Sequence, residues 1–274
     1  MSLSPAAREH LLALADDEHM VGARHTNWIG LGPFLEEDLA FCSIAQDELG
    51  HAIALYRLIL DDERPTADGT TATGERDAEA DLRDQLALDA FAMMREPGDY
   101  RSCWLAEIEC SEWNDSLVRH WLYDRAEELR WEALVGSGDE RVAAVARRAL
   151  SEERFHLTHA DQFLSRIADS DTTGRIAASV ERLAPIAAGV FDAADTESDA
   201  VAEGLVTTSS AELAAVWADR IRSDLARWGL SVAVDLDPAA QSARQAGRTV
   251  RSDGFDDLLA DLQKVIREDP AAVW

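Results

Sequence analysis

The sequence contains two copies of a motif that could hold a metal ion, a glutamate followed three positions later by a histidine. The copies are Glu48-Leu49-Gly50-His51 and Glu153-Arg154-Phe155-His156. In a helix, residues three positions apart share a face, so each copy can direct one carboxylate and one imidazole toward the same ion. A carboxylate-rich set with two histidines and no thiolate favours iron or manganese. The two copies therefore predict a site for two metal ions.

Each motif also has a carboxylate upstream at a matching distance. Glu18 precedes Glu48, and Asp124 precedes Glu153, by about 30 residues, which is the length of two antiparallel helices joined by a short turn. Glu48 and Glu153 would bridge the two ions, Glu18 and Asp124 would be terminal carboxylates, and each motif histidine would bind one ion. The predicted ligands are Glu18, Glu48, His51, Asp124, Glu153 and His156.

Ordinary alternatives exist for this set, because the chain has 53 acidic residues and 7 histidines and acidic runs are often solvated faces. Glu18 belongs to the run Asp16-Asp17-Glu18, which could be such a face. His159 is expected either to support the ligands from outside or to face solvent. The choice of ligand on the helix of Asp124 stays open, because other acidic residues share it. They are Glu107, Glu109, Glu127 and Glu128.

The composition predicts an all-α fold. Of 274 residues, 47% are apolar, and with only 7 Pro and 15 Gly several long stretches keep helical periodicity, while none shows sustained strand alternation. Helices are predicted at 5–28, 34–60, 77–94, 101–135 and 139–168, with a surface loop at 65–74. This order is the two-hairpin plan of a ferritin-like four-helix bundle, with one crossover between the pairs.

The last third of the chain is predicted to extend this bundle. Residues 1–168 would form the di-metal bundle, and residues 169–274 would form a helical extension packed on it as one compact domain. Helices are predicted at 173–193, 210–228 and 254–268, with a loop at 231–252. The arginines here are expected to form exposed charge pairs. They are Arg220, Arg222, Arg227, Arg244, Arg248 and Arg251.

The net charge of −27 makes nucleic acid a poor partner. Lys264 is the single lysine, and abundant carboxylates with almost no lysine are typical of adaptation to high salt, where screening weakens self-repulsion. Stability that did not change when salt is removed would refute that hypothesis. The chain has no run of 18 apolar residues and no secretory pattern, so a cytoplasmic protein that does not span a membrane is expected.

Short stretches around the motifs resemble the ferritin-like subunits of the phenylacetyl-CoA epoxidase complex of aerobic phenylacetate degradation. They are Asn27-Trp28-Ile29, Asp47-Glu48-Leu49-Gly50-His51, Trp121-Leu122-Tyr123-Asp124 and Glu152-Glu153-Arg154-Phe155-His156. The tail is similar to the C-type subunit of that complex. The similar stretches there are Val190-Phe191-Asp192-Ala193, Ala214-Ala215-Val216-Trp217 and Phe255-Asp256-Asp257-Leu258-Leu259 through Trp274.

The resemblance implies a di-iron oxygenase component that inserts one oxygen atom of dioxygen into the ring of phenylacetyl-CoA, an aryl-CoA thioester. Electrons would come from a separate reductase, because this sequence has no nucleotide-binding Gly-rich loop and no iron–sulfur cysteine cluster. The other partner would be a related ferritin-like subunit, in a homo- or hetero-oligomer.

The resemblance leaves two other roles open. The C-type subunit has generally lost its metal ligands and serves as a structural partner, whereas this chain keeps all six. One alternative is therefore a non-catalytic partner subunit. The other is a ferritin-like oxidase that acts without an organic substrate.

Overall fold

The computed structural model describes residues 2–63, 78–168, 170 and 174–270. Within these ranges all regular structure is helical, which confirms the predicted all-α class. The first two-thirds of the chain contains α1 (Pro5–Thr26), α2 (Leu35–Glu63), α3 (Ala78–Met93), a 3-10 helix (Pro97–Asp99), α4 (Trp104–Glu107), α5 (Trp113–Val135) and α6 (Glu140–Ala168). The last third contains α7 (Arg175–Ala187), a 3-10 helix (Ala188–Phe191), α8 (Glu197–Ala202), α9 (Ser210–Arg227), α10 (Pro238–Gln245), α11 (Phe255–Leu262) and α12 (Lys264–Glu268).

The four longest helices of the first two-thirds form the bundle that positions the motifs. Helix α1 packs along α2, α5 packs along α6, and α2 contacts α6 across the two hairpins. The first motif lies on α2 and the second on α6. This is the predicted ferritin-like arrangement, with α3 and α4 in the crossover between the pairs. No helix in the described ranges is long and apolar enough to cross a membrane.

Helix α1 is buried over half of its length, since every residue from 14 to 25 is buried. It starts where Ser4 accepts a hydrogen bond from the backbone N–H of Ala7, with Pro5 at the first helical position. Its close approach to α2 depends on Gly22, because a Cβ atom there would lie 3.1 Å from the Cβ of Glu48. A glycine in α1 therefore sets the spacing beside the first motif.

The extension shares its core with the bundle. Met20 of α1, Trp121 of α5, Trp217 of α9 and Phe255 of α11 belong to one buried hydrophobic cluster. Trp217 also donates a hydrogen bond of 3.0 Å from Nε1 to the carbonyl oxygen of Leu122. The extension thus packs on the bundle, and the division at residue 168 stays a prediction.

Several predicted boundaries are wrong. The helix predicted at 101–135 is interrupted, because the chain is extended at Ile108 (ψ 145°) and at Glu112 (ψ 142°) between α4 and α5. Tertiary contacts hold this break, since the backbone N–H of Ser252 donates to Glu107 at 2.7 Å. The loop predicted at 231–252 contains α10, and the helix predicted at 254–268 is divided at Gln263. The loop predicted at 65–74 lies outside the described residues.

Two of the arginines expected at the surface point inward: Arg248 is buried, and the Arg251 side chain is only 10% exposed. Arg248 donates from Nη1 to Oδ2 of Asp17 at 2.8 Å, and Arg251 donates from Nη1 to Oε1 of Glu107 at 2.6 Å. The expectation of exposed charge pairs is therefore wrong for these two. It is correct for other arginines of the region, such as Arg222, which is 60% exposed and pairs with Asp219.

Candidate metal centre

The three acidic residues 16–18 of α1 are all fully buried, so the possibility of a solvated acidic face is wrong. Successive residues of a helix point in different directions, and here each carboxylate meets different partners. Asp16 pairs with Arg95, and Asp17 pairs with Arg130 and Arg248. Glu18 faces the motif helices and is available to the centre.

Around the first motif, carboxylates from three helices surround Nδ1 of His51. This atom lies 3.2 Å from Oε2 of Glu18, 3.8 Å from Oε2 of Glu48 and 3.6 Å from Oε1 of Glu127. One ligand atom from each of these four residues lies within 4.8 Å of the others. They could together hold one ion.

Around the second motif, Nδ1 of His156 lies 3.0 Å from Oε1 of Glu153 and 3.7 Å from Oε1 of Glu48. Glu48, Glu153 and His156 form a second group with ligand atoms within 4.8 Å of one another. Glu48 thus belongs to both groups, with one oxygen toward each histidine. That is the position of a bridging carboxylate, although its role as a ligand stays a prediction.

Helix α5 brings two acidic residues to the centre. Asp124 lies with Glu127 and Glu153 in a third group within the same distance. Glu127 also belongs to the group around His51 and therefore lies between the two halves. All six predicted ligands converge, and Glu127 joins them. The sequence indicated Glu127 only through its position one helical turn after Asp124, on the same helical face.

The unpartnered atoms of this cluster indicate that it is suited to bind cations. Both carboxylate oxygens of Glu48, Asp124 and Glu153 are buried, and although histidine nitrogens lie near some of them, none makes a hydrogen bond of suitable geometry with a described residue. The same holds for Oε2 of Glu127 and Nδ1 of His156. Buried carboxylates without partners are costly unless they coordinate metals or take up protons. Five carboxylates and two imidazoles match the oxygen-rich ligation of two divalent ions.

The pKa values of these groups show how strongly the site favours positive charge. Burial, and then repulsion from Glu48, raises the pKa of Glu18 to about 8. Burial, and then the charge of Glu18, raises the pKa of Glu127 to about 7. Burial also raises the pKa of Asp124 and Glu153. Without metal ions, protons must supply part of the missing positive charge.

The outward-facing Nε2 atom of each motif histidine contacts an acidic residue on the helix of the other motif. That acidic residue directly precedes the glutamate of its own motif. Nε2 of His51 lies 2.8 Å from Oε2 of Glu152, and Nε2 of His156 lies 3.2 Å from Oδ2 of Asp47. A proton on Nε2, donated outward, leaves the Nδ1 lone pair directed at the centre. The two halves support each other reciprocally across α2 and α6. Both supporting residues directly precede a motif in the sequence, but their role needed the structure.

Two aromatic side chains also contact carboxylates of the candidate centre directly. The Tyr123 hydroxyl donates a hydrogen bond of 2.9 Å to Oε1 of Glu18, and the Trp131 indole N–H donates one of 2.7 Å to Oε1 of Glu127. Both aromatic residues are fully buried. Each fixes the orientation of one carboxylate.

A row of histidines lies beside the second half of the centre. Nδ1 of His120 lies 3.0 Å from Oδ2 of Asp124, and its Nε2 lies 3.4 Å from Nδ1 of His159. Nε2 of His159 in turn lies 3.0 Å from Oε2 of Glu37. His159 thus reaches the centre through His120, and its predicted role in supporting the ligands stays a prediction.

This arrangement defines a class of protein, a helical bundle with a buried carboxylate and histidine centre suited to two metal ions. The chain belongs to the family of phenylacetic acid catabolic proteins, which matches residues 3–274. It is 24% identical over 268 residues to the C-type subunit of the 1,2-phenylacetyl-CoA epoxidase of Escherichia coli (strain K12), a match that covers 97% of this chain and 98% of that relative. The resemblance predicted from the motifs and the tail is therefore confirmed.

Proposed function

We propose that this chain is a di-iron oxygenase component of the phenylacetyl-CoA ring-epoxidase type. The observation that carries the proposal is the pair Glu48 and Glu153, whose four buried oxygens make no hydrogen bond of suitable geometry within the described ranges. Glu48 faces both motif histidines, and Glu153 faces His156. The relative named as an epoxidase subunit supplies the substrate class, an aryl-CoA thioester.

The ligands divide naturally into two halves. Glu18 and His51 would hold one ion, Asp124 and His156 would hold the other, and Glu48 and Glu153 would bridge them, with Glu127 between the halves. Two iron ions bound here, or manganese as a substitute, would supply the activation of dioxygen for transfer of one oxygen atom to an aromatic ring.

The chain's own residues prepare the site for this chemistry. Glu152 and Asp47 keep the Nδ1 lone pairs of the two histidines directed inward. Tyr123 and Trp131 restrain two carboxylates, which reduces the reorganisation needed when ions bind. Complete burial of the ligands excludes bulk water, so the reaction is protected from solvent.

The proposal needs a separate source of electrons and a partner chain. The sequence has three cysteines, which the structure shows as free thiols, so it offers no iron–sulfur cluster of its own. Asp47 and Glu152, whose side chains are 30% and 26% exposed, connect the ligand histidines to the surface where α2 meets α6. Exposed Ile53 and Phe155 lie on the same two helices. We infer that this surface receives a reductase or a related ferritin-like subunit.

A second candidate function is a non-catalytic partner subunit, one of the two roles that the sequence left open. Aromatic rings pack tightly beside the second half of the centre, with ring centroids of Phe41 and Trp113 4.7 Å apart and those of Phe41 and His120 5.5 Å apart. Such packing is typical of a filled core. It favours a chain that retains the centre without admitting an aromatic substrate.

Labelled dioxygen separates the two functions. Iron-loaded protein, supplied with a chemical reductant and phenylacetyl-CoA, should incorporate one atom of oxygen-18 per product molecule, detected by mass spectrometry. The variant Glu48→Ala/Glu153→Ala should give no labelled product. If neither protein forms product while both still bind a related catalytic subunit, the partner role is correct and the oxygenase proposal is wrong.

A further inference from the structure

Arg119 is a buried cation without an anionic partner. Its side chain lies in α5 and is 1% exposed. Nη1 donates a hydrogen bond of 3.0 Å to the carbonyl oxygen of Ile108, while Nε and Nη2 have no hydrogen-bond partner in the described part of the chain. Arg119 also makes no ion pair with any described carboxylate. In a chain of charge −27, an uncompensated buried guanidinium requires an explanation.

A second arginine lies close by and does not compensate the first. Arg24 of α1 is 7% exposed and donates to the carbonyl oxygens of Glu107 at 2.7 Å and Gly254 at 3.4 Å. It too forms no ion pair among the residues described. Burial lowers the pKa of Arg24, and the charge of Arg119 is the next largest cause. Two buried positive charges therefore repel each other under the segment that joins α4 to α5.

The charges of Glu109 and Asp261 raise the pKa of Arg24, but neither carboxylate forms an ion pair with Arg24 or Arg119 among the described residues. Both ring nitrogens of His25 are buried and have no hydrogen-bond partner within the described ranges. Burial and then the charge of Arg119 hold the pKa of His25 well below its usual value, so its imidazole is neutral. Ser116, one helical turn before Arg119, has a buried hydroxyl that also lacks a described partner. His25 and Ser116 offer neutral hydrogen-bonding atoms, and neither carries a negative charge.

The two unpartnered atoms of Arg119 form a specific recognition element. Nε–H and Nη2–H lie along one edge of the planar guanidinium and point in the same direction, which matches the two oxygens of a carboxylate. We propose that Arg119, with Arg24 beside it, binds a small planar oxyanion of the carboxylate or hydrogencarbonate type. The complete burial of Arg119 limits the ligand to a few non-hydrogen atoms. The proposed anion site uses none of the predicted metal ligands.

Equilibrium dialysis tests the proposal without any metal or activity. The probes are carbon-14 acetate and carbon-14 hydrogencarbonate, each at an ionic strength fixed with sodium chloride so that screening is constant. The wild-type protein should bind about one anion per chain in a saturable way. Arg119→Met should bind none, because it keeps the length of the side chain but loses both donors. Arg222→Met, which removes an exposed arginine of α9, should bind as the wild type does.

Thermal unfolding supplies the second readout, and Arg119→Lys supplies a variant that keeps the charge. Added acetate should raise the Tm of the wild type and of Arg222→Met, but not that of Arg119→Met. Arg119→Lys should bind roughly tenfold more weakly or worse, because an ammonium lacks the two-pronged edge. Binding of one probe alone identifies which oxyanion the site prefers and supports the proposal. The proposal is overturned if the wild type binds neither probe in a saturable way. It is also overturned if Arg119→Met or Arg119→Lys binds a probe as tightly as the wild type does.

Discussion

The buried carboxylates predict that Glu48→Gln stabilises the metal-free protein while it abolishes the stabilisation by metal. Glu48 is fully buried, and neither of its oxygens has a hydrogen-bond partner in the part of the chain that is described. Burial, and then repulsion from Glu127, raises its pKa. Glutamine keeps the shape, removes the charge and offers an N–H₂ group that neighbouring carboxylates can accept from.

The expected gain follows from the cost of burying an unsatisfied polar group. That cost is about 1–3 kcal/mol, so the metal-free variant should unfold about 2–10 °C above the wild type for a chain of this size. Saturating metal should add about 3 kcal/mol to the stability of the wild type at a hundredfold excess over Kd. The variant should lose most of this increment, because Glu48 faces both histidines.

Thermal unfolding at pH 8, in a chelator and then with manganese, measures both effects. Glu140→Gln is the matched control, because the Glu140 side chain is 82% exposed and should change neither value. A Glu48→Gln protein that is less stable than the wild type in chelator would refute the idea that the centre is electrostatically strained. A variant that keeps the full increment with manganese would refute the bridging position of Glu48.

Three further predictions follow from the same site. The pKa of Glu18, raised to about 8, means that the folded metal-free chain holds a proton that the unfolded chain has released above its ordinary pKa of 4.5. Stability in chelator should therefore fall as the pH rises from 4.5 through 8, by up to about 1.4 kcal/mol per pH unit, whereas a flat profile by denaturant titration would contradict this. Gly22→Ala should push α2 outward at Glu48 and weaken metal binding, because the new Cβ would lie 3.1 Å from the Glu48 Cβ. A metal affinity equal to that of the wild type, measured by calorimetry, would show that α1 and α2 can separate without disturbing the site. Asp47→Asn and Glu152→Gln should each lower metal affinity roughly 10- to 100-fold, although all predicted ligands remain. Competition with a fluorescent chelator measures this affinity, and an unchanged value would show that these two residues do not support the histidines.

The sequence predicted which residues converge because helical spacing is a local property, while their role as ligands stays a prediction. A glutamate and a histidine three positions apart share a helical face wherever the helix lies in a fold, as in Glu48 and His51 or Glu153 and His156. The matching offsets then placed Glu18 near the first motif. These residues do converge in the structure. What spacing could not decide was which acidic residues are buried, since that depends on the helices packed around them.

The wrong predictions share a tertiary cause. No proline or glycine marks the break between α4 and α5, and the extended backbone at Ile108 is held by contacts from the distant residues Arg251 and Ser252. Arg248 becomes buried because Asp17 of α1 reaches it from the far end of the sequence. Glu127 was only one of several acidic residues near Asp124, and its place between the halves depends on its side chain reaching both His51 of α2 and Glu153 of α6.

The most direct measurement is the iron content of the purified protein by elemental analysis after expression with added iron, beside the variant Glu48→Ala/Glu153→Ala. The ligand set predicts close to two irons per chain in the wild type and none in the variant, with both proteins folded by circular dichroism. Iron absent from both proteins, or present equally in both, would contradict a metal centre at these residues.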